Sequence, residues 1–432
     1  MSAPFLTYLT VFKSRLGVIN LVLPITGFAY QPSITLSRKL KAVLERRVEL
    51  RVDDHHNDII FQYLIDKNLI SSNIRSSGRY QSVRLEKFGE GWLAQDNRGT
   101  PIEKLTVFQT DIWMSHPSIL STIGLPTPDN NNEILELSFQ LAVVSKAKNT
   151  WTAIGQLLSN LRAYLPGAIS EPDNPFLLGL ESPVFLRQIL EKDGLITREM
   201  LREMREIPYE LTRDNLMHRL AAATKRALQE AQRIKLPPPI LAEGKSFLKL
   251  IEETTTKRNA SLKSKGKTSS VGPGVLEHRT APRLEWLTDL GFLSKEGLPK
   301  NSFQYRWLPS AGRLLEELDN HINDAYWPDS VALQEWRLSE YWAPMRQLLP
   351  EIDFRSALRS GYRVMKRVVG PAAIRDVCFA AGILAPHLHL TFTQIIDELV
   401  RWSNEEKGIT LSGGRYKRGP ELVHMNQAFL GE

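Results

Sequence analysis

Apolar residues along this chain recur at helical spacing far more often than at strand spacing. Leu216, Leu220, Ala223, Ala227, Leu228 and Ala231 fall three or four positions apart and share one face, so 183–234 reads as helical. Arg219, Lys225, Arg226 and Arg233 fall largely elsewhere, as a solvated face would require. Leu284, Leu287 and Leu290 line the inner side of a short helix that Thr280 can cap and Gly291 can end in a left-handed conformation. Phe292 then returns to the core, and Phe303–Trp307 alternates like a half-buried strand. Pro309 breaks that strand, and Ser310 can cap a helix packed through Leu314, Leu315 and Leu318. Asp353–Val369 predicts one helix with Leu358, Tyr362, Met365 and Val369 on its apolar side and Gly370–Pro371 as its stop. Ala372–Ile383 predicts another. Thr391 and Gln394 make a capping box, with Leu390 and Ile395 as its hydrophobic staple, for a helix buried through Phe392, Ile395, Ile396, Leu399 and Val400. Ile409–Leu411 and Leu422–Met425 read as strands joined through Gly413 and Gly414. Nearer the N-terminus, Asp58–Ile70 looks helical, and Tyr80–Phe88 with Trp92–Gln95 predicts a hairpin through Gly89–Gly91. The fold class is therefore mainly α with short β-hairpins (α+β).

Turn chemistry divides this pattern. Pro126–Asn132 is one break, and Pro237, Pro238 and Pro239 are another. Glu252–Gly274 is rich in Ser, Thr, Lys and Gly and has few residues able to form a core, so it reads as a flexible linker. The expected organisation is an N-terminal α+β region over 1–125, a helical domain over 133–236 and a linker over 237–275, flexible at 252–274. A compact unit over 276–330 and a C-terminal domain over 331–432 follow. No repeat of fixed period is evident. Lys13 and Arg15 precede an apolar run, Leu16–Tyr30, in the order of a signal peptide, but Asn20, Pro24 and Thr26 interrupt it. A buried first strand or helix is the simpler expectation, and no other stretch is long enough to cross a bilayer.

Composition narrows the class. The chain has 432 residues, 42% hydrophobic and 24% charged, which suits folded domains rather than a disordered chain. Its one cysteine, Cys378, allows no internal disulfide and fits a reducing, cytoplasmic setting. The net charge of +7 favours a polyanionic partner, though the surplus is spread along the chain.

Against that background, the order helix, Gly turn, aromatic strand and Ser-capped helix in Arg279–Leu318 resembles the winged helix-turn-helix superfamily. The phrase YRWLPSAGRLLEEL, Tyr305–Leu318, is similar to that superfamily's passage from wing to last helix. Glu285 and Asp289 on the preceding helix oppose a place in a major groove, where phosphates would repel them. A second, C-terminal unit carries stronger basic features. Arg355, Arg359, Arg363 and Arg367 recur every four residues with Lys366 close by, a row that suits phosphate oxygens or an acidic patch of the protein itself. Arg415, Lys417 and Arg418 lie between its two strands, where a wing would meet a backbone or minor groove. The insert Leu384–Leu390 and the acids Asp397, Glu398, Glu405 and Glu406 depart from the superfamily's pattern. A third unit of this kind, or a plain α+β subdomain, is expected near Arg75, Arg79 and Arg84.

Catalytic chemistry finds less support. Asp53–Asp58 (DDHHND) holds metal-ligand side chains, but adjacent residues diverge, and a solvated loop before a helix explains them more simply. His387, His389, Cys378 and His424 fit no familiar zinc spacing. Ser261–Thr268 (SLKSKGKT) ends like a phosphate loop yet lacks the first glycine and a preceding strand. The sequence thus predicts a non-enzymatic, cofactor-free nucleic-acid-binding protein, with double-stranded DNA as the expected partner and no membrane partner. Its multi-unit build, with the phrase Pro282–Gly291, resembles accessory components of bacterial anti-phage defence or DNA-modification systems. The alternatives are a scaffold whose winged helices dock other protein subunits, and a metal-dependent nuclease using Asp53–Asp58.

Overall fold

The computed structural model describes residue 6 and residues 16–50, 74–77, 80–83, 131–164, 179–206, 211–265, 274–298, 302–366, 371–413 and 421–431. These residues are mainly helical, with short antiparallel strand pairs.

The apolar run near the N-terminus forms two 3-10 turns, Leu16–Leu21 and Leu23–Ile25; Leu16, Val18 and Ile19 of the first, and Val22 between them, are fully buried. Helix α1 (Ser33–Leu50) follows. Strand β1 (Ile74–Ser77) pairs with β2 (Tyr80–Val83), so Tyr80–Val83 turns back on the segment before it. The expected partner, Trp92–Gln95, lies outside the described residues, as do Asp58–Ile70 and Arg79 and Arg84. Next come α2 (Asn131–Gln140), the short pair β3 (Val144–Ser145) and β4 (Thr150–Trp151), and α3 (Ala153–Tyr164).

Two units of one element order follow. The first runs α4 (Ser182–Arg205), β5 (Leu211–Thr212), α5 (Arg213–Arg233), α6 (Pro238–Lys265), α7 (Gly274–Asp289), β6 (Leu293–Leu298) and β7 (Ser302–Trp307). Helices α8 (Pro309–His321), α9 (Trp327–Leu338) and the short α10 (Ala343–Arg346) connect it to the second. That unit runs α11 (Phe354–Met365), β8 (Ala372–Ala373), α12 (Ile374–Leu384), α13 (Phe392–Glu405), β9 (Ile409–Ser412) and β10 (Leu422–Met425), closed by α14 (Gln427–Leu430). Both sheets are antiparallel with the last strand central, in the orders β5-β7-β6 and β8-β10-β9. Leu211 faces Tyr305 across one sheet and Leu422 faces Ala373 across the other. Without α6, the two units read alike: helix, strand, two helices, hairpin.

Several expectations change at this level. The segment 252–265, expected to be flexible, is helical and forms the second half of α6, whose first half carries buried Phe247 and Ile251. Thr254, Thr255 and Thr256 donate their hydroxyls to carbonyls one turn back, so polar side chains that suggest disorder are satisfied within the helix. The proline cluster does mark a break: Lys235 is left-handed, and Pro238 opens α6, where its missing N–H costs nothing. Thr280 is no cap, because α7 starts at Gly274 and Thr280 is buried inside it. Ser310 does not cap α8 either; its hydroxyl donates to the carbonyl of Gly291 at 2.7 Å. Gly291 itself is left-handed, with φ of 76°.

The core crosses the boundaries expected near 236, 275 and 330. One buried cluster runs from the N-terminal turns through both units to Leu430. Buried charge joins the units as well. Arg187 of α4 pairs with Asp329 of α9 at 2.9 Å and with Asp376 of α12 at 2.8 Å, while its guanidinium lies over the Phe379 ring. Arg375 reaches both Asp329, at 2.6 Å, and Glu191. Burial pushes the Asp329 carboxyl up, and the two arginines oppose that shift. A buried set like this fixes one relative arrangement, because removing any member leaves its partner uncompensated.

Candidate nucleic-acid interface

Helix α11 carries most of the expected contact row. Its first turn is fixed by Asp353, whose carboxylate accepts from the Ser356 backbone N–H at 2.7 Å; that bond holds the Asp353 carboxyl below its usual range. Ala357, Leu358, Gly361, Tyr362 and Met365 are buried, mostly against α12. The helix ends four residues earlier than the apolar pattern predicts. Gln156 of α3 donates to the carbonyls of Met365 and Lys366 at 3.0 Å, and Asn160 donates to that of Val364. Those distant amides satisfy the end of the helix in place of further turns.

Arg355, Arg359, Arg363 and Lys366 lie on the more open side of α11, and three of them meet the C-terminal segment. Arg355 pairs with Glu406 at 2.6 Å. The guanidiniums of Arg355 and Arg359 lie 5.0 and 5.1 Å from the centre of one ring, that of buried Phe429. Arg363 donates to the Leu430 carbonyl at 2.7 Å, and the Lys366 side chain is exposed. Arg367, Arg415, Lys417 and Arg418 lie outside the described residues. Glu406, the Leu430 carbonyl and the Phe429 ring thus all help to relieve the row of like charges. Phe429 gave no sequence signal of this role, since it lies far along the chain from Arg355 and Arg359, in a four-residue helix.

The third helices of the two units differ. On α13, the capping box forms as expected: Thr391 accepts from the Gln394 N–H and the Gln394 side chain accepts from the Thr391 N–H. Phe392, Ile395 and Leu399 are buried, whereas Thr393, Gln394, Asp397, Arg401 and Asn404 form an exposed face. Arg401 on that face is held by Glu398 and Glu405. In contrast, α7 is buried throughout 279–289. Arg283 grips Asp193 with two hydrogen bonds, Tyr305 donates to Glu285 at 2.8 Å, and the Leu16 N–H donates to Asp289 at 2.7 Å. The acids that oppose groove binding in the sequence are therefore internal acceptors here.

The other chemical candidates separate in space or serve locally. His387 is within 2.9 Å of the Ile352 carbonyl, His389 is a left-handed turn residue, and His424 sits 3.4 Å from the Tyr362 hydroxyl. Cys378 is fully buried; desolvation, with Asp329 and Asp376 nearby, pushes its thiol far up. Among the described residues, no group of His, Cys, Asp or Glu could hold a metal ion, and no helix is long and apolar enough to cross a membrane. Asp53–Asp58 lies outside them, and Ser261–Lys265 is the last turn of α6. Comparison of the chain with protein-family models, curated proteins and solved structures finds no match.

Proposed function

We propose that the chain is a non-enzymatic nucleic-acid-binding protein that engages double-stranded DNA through its C-terminal unit. The carrying observation is that unit's element order: helix, strand, two helices and a hairpin whose last strand is central, which supports the winged-helix reading. Its third helix keeps an open polar face, α11 offers a row of cations, and the hairpin connection carries Arg415, Lys417 and Arg418 in sequence. Most of these cations would meet phosphates, giving affinity without sequence choice. Fluorescence anisotropy with a mixed-sequence duplex at two salt concentrations tests this. Wild type is expected to bind more weakly as salt rises, and Arg415→Glu/Lys417→Glu/Arg418→Glu to lose about tenfold or more in affinity at low salt. Absence of binding at low salt overturns the proposal.

One observation favours a second role for the first unit. With α7 buried throughout 279–289, that stretch of the unit's third helix is not open to a groove and serves as a packing module. Such a module suits a subunit of a larger assembly, in which other protein chains dock while the C-terminal unit holds nucleic acid. Co-purification that survives high salt would support that role.

A further inference from the structure

We infer that Arg355 and Arg359, set against Phe429, form a discrete phosphate-binding subsite in which Glu406 takes the ligand's place at Arg355. Three features carry this. First, the two guanidiniums share one buried aromatic ring: both lie about equally far from the centre of Phe429, which is itself 2% exposed. Aromatic contact of this kind orients a guanidinium without consuming its N–H donors. Second, the two cations differ in their anion supply. Arg355 donates to Glu406 at 2.6 Å, while Arg359 makes no hydrogen bond among the described residues, and its Nε is buried without an acceptor. The charge of Asp353 is felt nearby, but its carboxylate is used by Ser356. Third, the Arg355–Glu406 pair stands partly in solvent, with side-chain exposures of 45% and 27%, so an incoming anion can exchange with the carboxylate. A phosphoryl group has the oxygens to satisfy both guanidiniums at once, which one carboxylate on Arg355 does not do here.

The inference rests on the reading of the C-terminal unit as a nucleic-acid surface, where the ligand is a backbone phosphodiester. Free inorganic phosphate shares the chemistry and is the second source. The full-length protein is compared as wild type, Glu406→Gln and Arg359→Met, each checked for an unchanged thermal midpoint. Duplex affinity is read by anisotropy across a salt series, and inorganic phosphate binding by calorimetry at constant ionic strength. Glu406→Gln removes the competing charge and is expected to bind duplex about two- to fivefold more tightly, the range of an exposed ion pair. Arg359→Met is expected to weaken binding and to flatten the slope of log affinity against log salt by about one. If wild type binds duplex but both variants match it in affinity and slope, the subsite is overturned while the nucleic-acid reading stands. If inorganic phosphate binds, more tightly to Glu406→Gln, and duplex does not, the subsite stands and the nucleic-acid reading falls. If neither ligand binds, both fall.

Discussion

Helices α7 and α13 hold the same place in two units of one element order, yet α7 is buried along 279–289 and α13 keeps an open polar face. Local sequence does not separate them cleanly, since both carry charge among apolar residues. Surroundings do. In the first unit, α6 is inserted between the second and third helices and the N-terminal turns approach from the other end of the chain. Phe247 of α6 lies beneath the guanidiniums of Arg279 and Arg283, and Leu16 reaches Asp289. Between α12 and α13 the insert is short, a single 3-10 turn (Pro386–Leu388) rather than a full helix. One element order can therefore serve as a packing module or as an exposed surface, and added chain segments decide which.

The sharpest way to break this contrast is to attack the buried charge of the first unit. Arg283→Met leaves Asp193, which has no exposure, without its guanidinium and is expected to cost about 3–5 kcal/mol by urea denaturation. Adding Asp193→Asn should recover part of that loss. The pH dependence has a definite sign. Burial already raises the Asp193 carboxyl above its ordinary value of 3.8, against the pull of Arg283 and the Leu6 N–H. A carboxyl raised in the folded state contributes stability below its unfolded value and loses it as pH rises through the folded one. Losing Arg283 extends that rise, so the single variant should weaken further from mildly acidic to neutral pH. A urea midpoint independent of pH would contradict this.

A smaller effect tests the second unit's own packing. A Cβ on Gly361 would sit 2.6 Å from the Val377 carbonyl oxygen and 2.8 Å from the Ala381 nitrogen, both backbone atoms of α12. Gly361→Ala is expected to cost about 1–3 kcal/mol by forcing α11 and α12 apart, while Gly27→Ala, with nothing within 4 Å, serves as its control. Smaller still, Thr391→Ala removes one half of the capping box and should cost about 1 kcal/mol in the same assay. Smallest is Arg401→Ala on the exposed face of α13, whose partners Glu398 and Glu405 remain solvated. Its denaturation midpoint should match wild type. A clear loss would mean that this face is less open than its exposure indicates.

The helices of the C-terminal unit were the most legible part of the chain. Thr391, Gln394 and the Phe392–Leu399 stripe specify α13 locally, and Leu358, Tyr362 and Met365 specify the buried side of α11. The two-residue strands β5 and β8 were not legible, because such strands exist only through their partners. Leu293–Leu298 is not legible either, since its interior, Ser-Lys-Glu-Gly, lacks the apolar alternation of β7. The first unit is only partly legible: 133–236 reads as a helical domain of its own, because nothing local says that Leu211 pairs with Tyr305.

By itself, then, the sequence determined the helical class, the breaks at Gly291 and at Pro237–Pro239, the burial of Leu16–Leu23 (though not of Phe28 and Tyr30 at the end of that run) and the spacing of the arginine row. These follow from rules that act over a few residues: period, capping and backbone conformation. Tertiary structure decided the rest. It set where α11 stops, through Gln156 and Asn160; which helix is hidden, through α6 and the N-terminal turns; and how the arginine row is occupied, through Glu406, Phe429 and Leu430. Each of those contacts joins residues tens to hundreds of positions apart. Their energies depend on desolvation and partner geometry that exist only once the chain has packed.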